Sequence, residues 1–292
     1  MRIGIAGTGK MGAAIAVRLL QVGHQVAVWN RTPDKTRALA DAGATVAVTP
    51  AELASRSECV ITILTDAAAV DAVYRGRSGL LEGASAGKLF IEMSTVRPET
   101  ERGLARDVAA KGAALVDCPV GGTIGPAREG KLFGFAGGGA ADVARARPLL
   151  EQMCRRVEHV GQIGAGAAMK LAINLPLLVY WRAFSEALLL CQPLGLDPAR
   201  LVDIFADTSG GPNVLKARGP VIAKVLAGGD AGPVTVDVDS IRKDLRTMID
   251  EGRALGRDLL VTARALECYE TAASEGLGGR DVTALLVHWL ES

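Results

Sequence analysis

The sequence predicts two domains of different class, an α/β domain over residues 1–162 and an all-α domain over residues 163–292, joined by one long helix. Three observations carry this expectation. Short apolar runs alternate with helical patterns up to Val160, and strand signals stop after Gly161. A glycine-rich turn separates the first apolar run from the first helical pattern. The longest apolar segment, 164–192, follows the last strand directly. At 292 residues the chain is also longer than most single cores support.

Residues 2–6, RIGIA, read as a strand, and Gly7-Thr8-Gly9-Lys10-Met11-Gly12 leads from it into AAIAVRLLQVG, whose apolar residues recur at helical spacing. This is G-x-G-x-x-G in its required setting, strand before and helix after, the signature of a Rossmann-type dinucleotide-binding domain. Gly7 permits the tight turn, Gly9 lets the backbone approach a pyrophosphate, and Gly12 allows close helix–strand packing. The free N–H groups and positive end of the helix face the phosphates.

Gln25–Trp29 is the second strand, followed by Asn30-Arg31-Thr32-Pro33-Asp34-Lys35. An NAD-preferring fold ends this strand in Asp or Glu to hold the ribose hydroxyls. Here Asn30 holds that place, with Arg31, Thr32 and Lys35 nearby. Arg31 can grip a 2′-phosphate bidentately and Thr32 can donate a hydroxyl, which points to NADPH/NADP+ over NADH. The alternative is a solvated basic turn.

The α/β rhythm continues with strands at 58–64 and 88–93, helix 99–111, strand Ala114–Asp117, strand 132–136, helix 141–154 and a last strand at 157–160. Ligands of open parallel sheets bind beyond the carboxyl ends of the strands. Thr65 at one such end and Thr95 at the next are therefore placed to touch the nicotinamide half, and Leu64, just before Thr65, is a further cofactor-binding candidate. Cys118-Pro119-Val120-Gly121-Gly122-Thr123 reads as a loop whose exposed amides suit a carboxylate.

Segment 164–192 would span about 42 Å as a helix. Lys170 and Asn174, four residues apart, share one face of it. Both need partners in an otherwise apolar surface, unless Lys170 reaches out to water. Pro176 predicts a kink just past Asn174. Further helices read at 197–207, 213–226, 237–255, 259–275 and 280–291, with Lys243-Asp244 on the third of these five. That pair reads equally well as a solvated face.

Composition narrows the function classes. A net charge of +1 and 4% aromatic residues argue against a nucleic-acid partner. Five scattered cysteines without a C-x-x-C pair suit a reduced, cytoplasmic protein, and three isolated histidines give no metal site. The chain opens straight into a strand, with no signal-peptide pattern. Segment 164–192 is long enough for a membrane span, but Lys170, Asn174, Pro176, Arg182, Ser185 and Glu186 fall inside it, so a buried helix is expected and no membrane.

With GIAGTGKMG, DCPVGGTIGPAREGKL, GAGAAMKLAIN and RKDL in this order, the whole chain resembles the β-hydroxyacid dehydrogenase family. EMSTV, NRT and KLAIN are most similar to its glyoxylate/succinic semialdehyde reductase branch, whose members use NADPH. The resemblance implies that Lys170 is the general acid and that Asn174 orients it and the substrate. It implies that Thr95 lies between nicotinamide and substrate, that Lys243 reaches the cofactor, and that Asp244 lies at the substrate end. Gly121, Gly122 and Thr123 align with the loop that takes the substrate carboxylate. Most relatives carry serine at the position of Gly121, so a carboxylate contact of about 1.5–3 kcal/mol is missing; either Thr123 replaces it or the substrate differs from the usual short acids. The implied activity is NADPH-dependent reduction of a small aldehyde acid. Its rivals are a 3-hydroxyisobutyrate-type dehydrogenase running oxidatively with NAD, and a non-catalytic NADP-binding scaffold. An apolar helix this long is poorly covered by one small domain, so a homodimer or homotetramer is expected.

Overall fold

The computed structural model describes residues 1–291 and divides into two compact units, Met1–Ala172 and Ile173 onward. The division falls inside the long helix.

In the first unit the order is β1 (Arg2–Ala6), α1 (Lys10–Gln21), β2 (Gln25–Trp29), α2 (Arg37–Asp41), β3 (Thr45–Val46), α3 (Pro50–Arg56), β4 (Cys59–Thr62), α4 (Ala67–Arg75), β5 (Leu89–Glu92), α5 (Pro98–Ala110), β6 (Ala114–Asp117), β7 (Val120–Gly121), α6 (Ile124–Arg128), β8 (Leu132–Gly137), α7 (Ala140–Leu150) and β9 (Cys154–Gly161). The strands lie in the order β3-β2-β1-β4-β5-β6-β8-β7, with β9 beside β8. Pairing is parallel from β3 through β6; β8 runs antiparallel to β6 and β7.

A parallel sheet covered on both faces needs apolar residues at every strand position, and the period-2 pleat then sorts them. Ile3, Ile5, Cys59, Ile61, Leu89, Ile91 and Val116 face α1 and α7 in one core. Ala6, Val60, Phe90 and Leu115 face the other, with Leu53 of α3, Tyr74 of α4 and Leu104 of α5. Each fully buried Ile or Phe contributes about 1.5–3 kcal/mol. The ladder register sets Ala6, Thr62, Glu92 and Asp117 in one row at the carboxyl ends of β1, β4, β5 and β6. The strands expected at 58–64 and 88–93 are shorter than predicted because the ladder stops at that row and the chain turns there.

The long helix α8 (Ala165–Cys191) continues through Pro176 as one helical run. It is less buried than expected, with only 28% of its most apolar window covered. Met169, Ile173, Leu189 and Leu190 stand on its exposed side. By length and composition alone it could cross a membrane, but Lys170 and the Arg182–Glu186 ion pair within it weigh against that.

The second unit adds α9 (Pro198–Ala206), α10 (Asn213–Leu226), α11 (Val238–Ala254), α12 (Leu260–Ala272) and α13 (Ala284–Glu291). Buried Tyr269 of α12 donates to the carbonyl of Leu178 at 2.8 Å, tying α12 to α8. Asp281, just before α13, is 3% exposed and pairs with Arg218 of α10 at 2.6 Å. Its carboxylate also accepts from the backbone of Thr235 and Thr283.

Candidate active site

The turn from β1 into α1 has the geometry its glycines predict. Gly7 sits at φ +99° and donates to the carbonyl of Trp29; a Cβ there would overlap the carbonyl of Ile63. A Cβ on Gly12 would overlap the carbonyl of Gly7, so that position holds the helix against the turn. Gly9 faces open space and caps α1 with no side chain occupying its first N–H groups. Beside it the hydroxyl of Thr8 is buried without a hydrogen-bond partner among the described residues. A buried orphan hydroxyl next to free helix N–H groups fits a dinucleotide pyrophosphate. Lys10 and Met11 open the helix.

At the end of β2, Asn30 is spent on the turn itself. Its Oδ1 accepts from the Thr8 amide at 3.0 Å and its Nδ2 donates to the carbonyl of Thr32 at 3.0 Å. The phosphate loop and the ribose end are thus braced against each other. Arg31, Thr32 and Lys35 are exposed, and the one nearby carboxylate, Asp34, is paired with Arg37 at 2.8 Å.

At the ends of β4 and β5, Leu64 is half-buried, its amide donating to Oγ of Ser94 at 2.8 Å. Thr65 is exposed and its hydroxyl bonds Asp66, while Thr95 is half-buried. The 118–123 segment differs from the open loop expected. Val120 and Gly121 pair with Gly134 and Phe133 as β7, since the chain must recross the sheet edge to reach β8. Gly122, at φ +124°, and Thr123 remain exposed ahead of α6. A Cβ at Gly121 would meet only ordinary contacts, 3.6 Å from Phe135, so packing does not require glycine there.

Lys170 is half-buried in the second turn of α8, and Asn174 follows one turn later on the same helix. On α11, Lys243 pairs with Asp244 at 2.5 Å, both half-buried. Gly7 to Lys170 fall in the first unit; Asn174, Lys243 and Asp244 fall in the second.

A family model of the NAD binding domain of 6-phosphogluconate dehydrogenase matches residues 2–161, and one described as the NAD-binding domain of NADP-dependent 3-hydroxyisobutyrate dehydrogenase matches residues 164–289. Glyoxylate/succinic semialdehyde reductase 1 of Arabidopsis thaliana is 34% identical over 286 residues, covering 98% of this chain and 97% of that protein. The chain belongs to the β-hydroxyacid dehydrogenase family. The 3-sulfolactaldehyde reductase of Escherichia coli (strain K12) is 35% identical, with 97% of this chain and 94% of that protein covered. A structure of Mycobacterium tuberculosis 3-hydroxyisobutyrate dehydrogenase with L-serine superposes with TM-score 0.86 at 27% identity, covering 100% of this chain and 99% of that one. The activity of this β-hydroxyacid dehydrogenase is therefore that of an NAD(P)-dependent oxidoreductase acting on hydroxyacids or their aldehydes.

Sequence reasoning missed the polar residues beneath the site of this dehydrogenase. Thr62, Glu92 and Asp117 end three neighbouring apolar strands and are fully buried. Glu92 accepts from the Ser94 amide at 2.8 Å and binds its hydroxyl, so one buried carboxyl holds the residue that in turn holds Leu64. Glu101 of α5 shares a hydrogen bond with Glu92, and burial raises both carboxyls, Glu101 well above the usual range. In the sequence Thr62 and Glu92 lie inside apolar runs that continue to Leu64 and Met93, so only the ladder shows that they end their strands, as Asp117 ends its own.

Proposed function

We propose that the chain reduces a small aldehyde acid of the glyoxylate or succinic semialdehyde type to the hydroxyacid with NADPH. The observation that carries this reading is Lys170, with Asn174 one turn on, in the long helix of a β-hydroxyacid dehydrogenase. When bound, the reduced nicotinamide supplies hydride to the carbonyl carbon. Lys170 Nζ delivers a proton to the carbonyl oxygen as charge develops there, and takes one back in the oxidative direction. Asn174 orients the lysine and hydrogen-bonds the substrate. The amides of Gly121 and Gly122 and the hydroxyl of Thr123 hold the carboxylate, and Thr95 lines the reacting face. Lys243 reaches the cofactor and Asp244 the substrate end; their mutual ion pair makes one depend on the other.

For the cofactor, Gly7 to Gly12 take the pyrophosphate, Leu64 and Thr65 line its path, and Arg31, Thr32 and Lys35 take the 2′-phosphate. The absence of an acid at Asn30 and the pairing of Asp34 with Arg37 support NADPH, as does the match to a family model of NADP-dependent enzymes. Exchanging Arg31 for glutamate is expected to raise KM for NADPH about tenfold or more, the loss of one charge-assisted contact, and to leave KM for NADH nearly unchanged. Steady-state kinetics with both cofactors checks this, and an equal effect on the two would remove Arg31 from the phosphate site.

Domain limits near residue 162, a cytoplasmic location and a homodimer or homotetramer belong to the same reading. The exposed Leu189, Leu190 and Leu194 support self-association.

A 3-hydroxyisobutyrate-type dehydrogenase is the second reading, favoured by the likeness to that enzyme's structure over the whole chain. A panel of glyoxylate, succinic semialdehyde, tartronate semialdehyde and methylmalonate semialdehyde with NADPH and NADH, run beside 3-hydroxyisobutyrate with NAD, separates the two. Best turnover of the first two with NADPH supports the proposal. Best turnover of 3-hydroxyisobutyrate with NAD in the oxidative direction supports the rival. In the same panel Gly121→Ser is expected to leave the melting temperature within about 1 °C, since Phe133 and Phe135 leave room. It should lower KM for the shortest acids several-fold, roughly the worth of one added hydrogen bond. Unchanged KM across the panel would place residue 121 away from the carboxylate.

A further inference from the structure

The helix carrying Lys170 begins in a clamp made by a distant side chain. Asp117 closes β6 and is fully buried. Its Oδ1 accepts from the amide of Gly164 at 2.8 Å and its Oδ2 from that of Ala167 at 2.9 Å. The fit allows nothing larger around it. A Cβ on Gly137 would overlap Oδ1, and one on Gly166 would overlap the carbonyl of Phe135 and lie 2.8 Å from Oδ2. An ordinary helix cap comes from the residue just ahead of the helix and fixes only the local chain. This one comes from a strand, 47 residues upstream of Gly164, and fixes the helix start against the sheet. Ala167 lies one turn before Lys170, and Asp117 immediately precedes Cys118 and the 119–123 segment.

We propose that Asp117 is a positioning residue that locks the first turn of α8, and with it Lys170, in register with the carboxylate-binding segment 119–123. The inference rests on the reading of Lys170 as proton donor. Only an ionised carboxylate offers both oxygens as acceptors; a protonated carboxyl or a carboxamide turns one donor against an N–H. Near a helix N-terminus the negative charge is also favoured by the helix dipole.

The clamp sits beside Glu92 of β5 and Glu101 of α5 on the same sheet face, with the Cys118 thiol next in sequence. Burial pushes the Asp117 carboxyl up to about 6, against the pull of the amides of Gly164, Ala167 and Gly166. Acidification through that value opens the clamp, whereas it leaves a general acid loaded. A loss of rate on the acid side therefore has to come from a group other than the proton donor. The effect on stability has the opposite sign. Because the folded value lies above the ordinary 3.8, protonating Asp117 favours the folded chain; that gain is complete below about 4 and is lost as pH rises through about 6. Slower chemistry without a lower melting temperature thus separates positioning from unfolding.

The test is single-turnover NADPH oxidation with succinic semialdehyde from pH 5 to 8, on wild type, Asp117→Asn and Lys170→Ala, with melting temperature and NADPH affinity alongside. Wild type should lose rate about tenfold on an acid limb near pH 6 while its melting temperature holds. Asp117→Asn should be about tenfold slow at pH 7.5, lack the acid limb, and bind NADPH within about threefold of wild type. An Asp117→Asn enzyme with the wild-type rate and the wild-type acid limb would overturn the proposal. Should that variant fail to fold, Asp117→Glu takes its place: it keeps the carboxylate but lengthens the side chain by one methylene, and a wild-type rate in it overturns the clamp. Turnover surviving in Lys170→Ala would overturn the proton-donor reading on which the clamp depends.

Discussion

Replacing Lys170 with alanine should lower kcat for aldehyde reduction by about 10²–10⁴, the usual worth of a positioned general acid, while NADPH still binds. The lysine lies in the second turn of α8, downstream of a clamped helix start, and the apolar neighbours on that helix offer no substitute acid. Lys170→Arg is the informative companion. A guanidinium keeps the charge but holds its proton too tightly to give it up at neutral pH, so it should recover binding of the substrate without recovering turnover. Stopped-flow absorbance of NADPH reads chemistry, and fluorescence titration reads binding. If both variants turn over at the wild-type rate, the proton comes from elsewhere.

The second large effect concerns stability. Asp281→Ala should destabilise the helical unit by about 3–5 kcal/mol, because it strands a guanidinium and two backbone amides that the carboxylate now satisfies. The Arg218–Asp281 pair is 16% and 3% exposed, well shielded from salt. Despite burial, the amides of Thr235 and Thr283, the Thr283 hydroxyl and Arg218 hold the Asp281 carboxyl down at about 2. A folded value below the ordinary 3.8 means that the stabilisation is fully present above pH 4 and fades as pH falls through 2. Thermal melting at pH 7 should show a drop on the order of 10 °C for Asp281→Ala. The gap from wild type should narrow below pH 3. A drop of under about 2 °C at pH 7 would show that the loop from Thr235 relaxes and releases Arg218 to water.

Features that depend on local spacing were legible before any coordinates. The G-x-G-x-x-G turn, the alternation that buries both faces of the sheet, and the four-residue step from Lys170 to Asn174 follow from helix and strand periods alone. The Gly121 departure was legible too, although only the structure shows that the position has room for a serine. Short β7 leaves no mark in the sequence, because two residues carry no period. Helix α8 was expected to be buried, because a run of apolar residues has the same sequence signature whether its neighbours cover it or leave it exposed.

By itself the sequence determined the class of chemistry, through a phosphate-binding turn that follows from local residue type and spacing and through four motifs whose order resembles one family. The tertiary structure alone decided which distant polar residues meet. Asp117 meets Gly164 across 47 residues, Arg218 meets Asp281 across 63, and Glu92 comes beside Asp117 because β5 registers against β6. Strand register and helix packing choose those partners, and low polarity makes each choice matter, because a buried charge without its partner costs several kcal/mol.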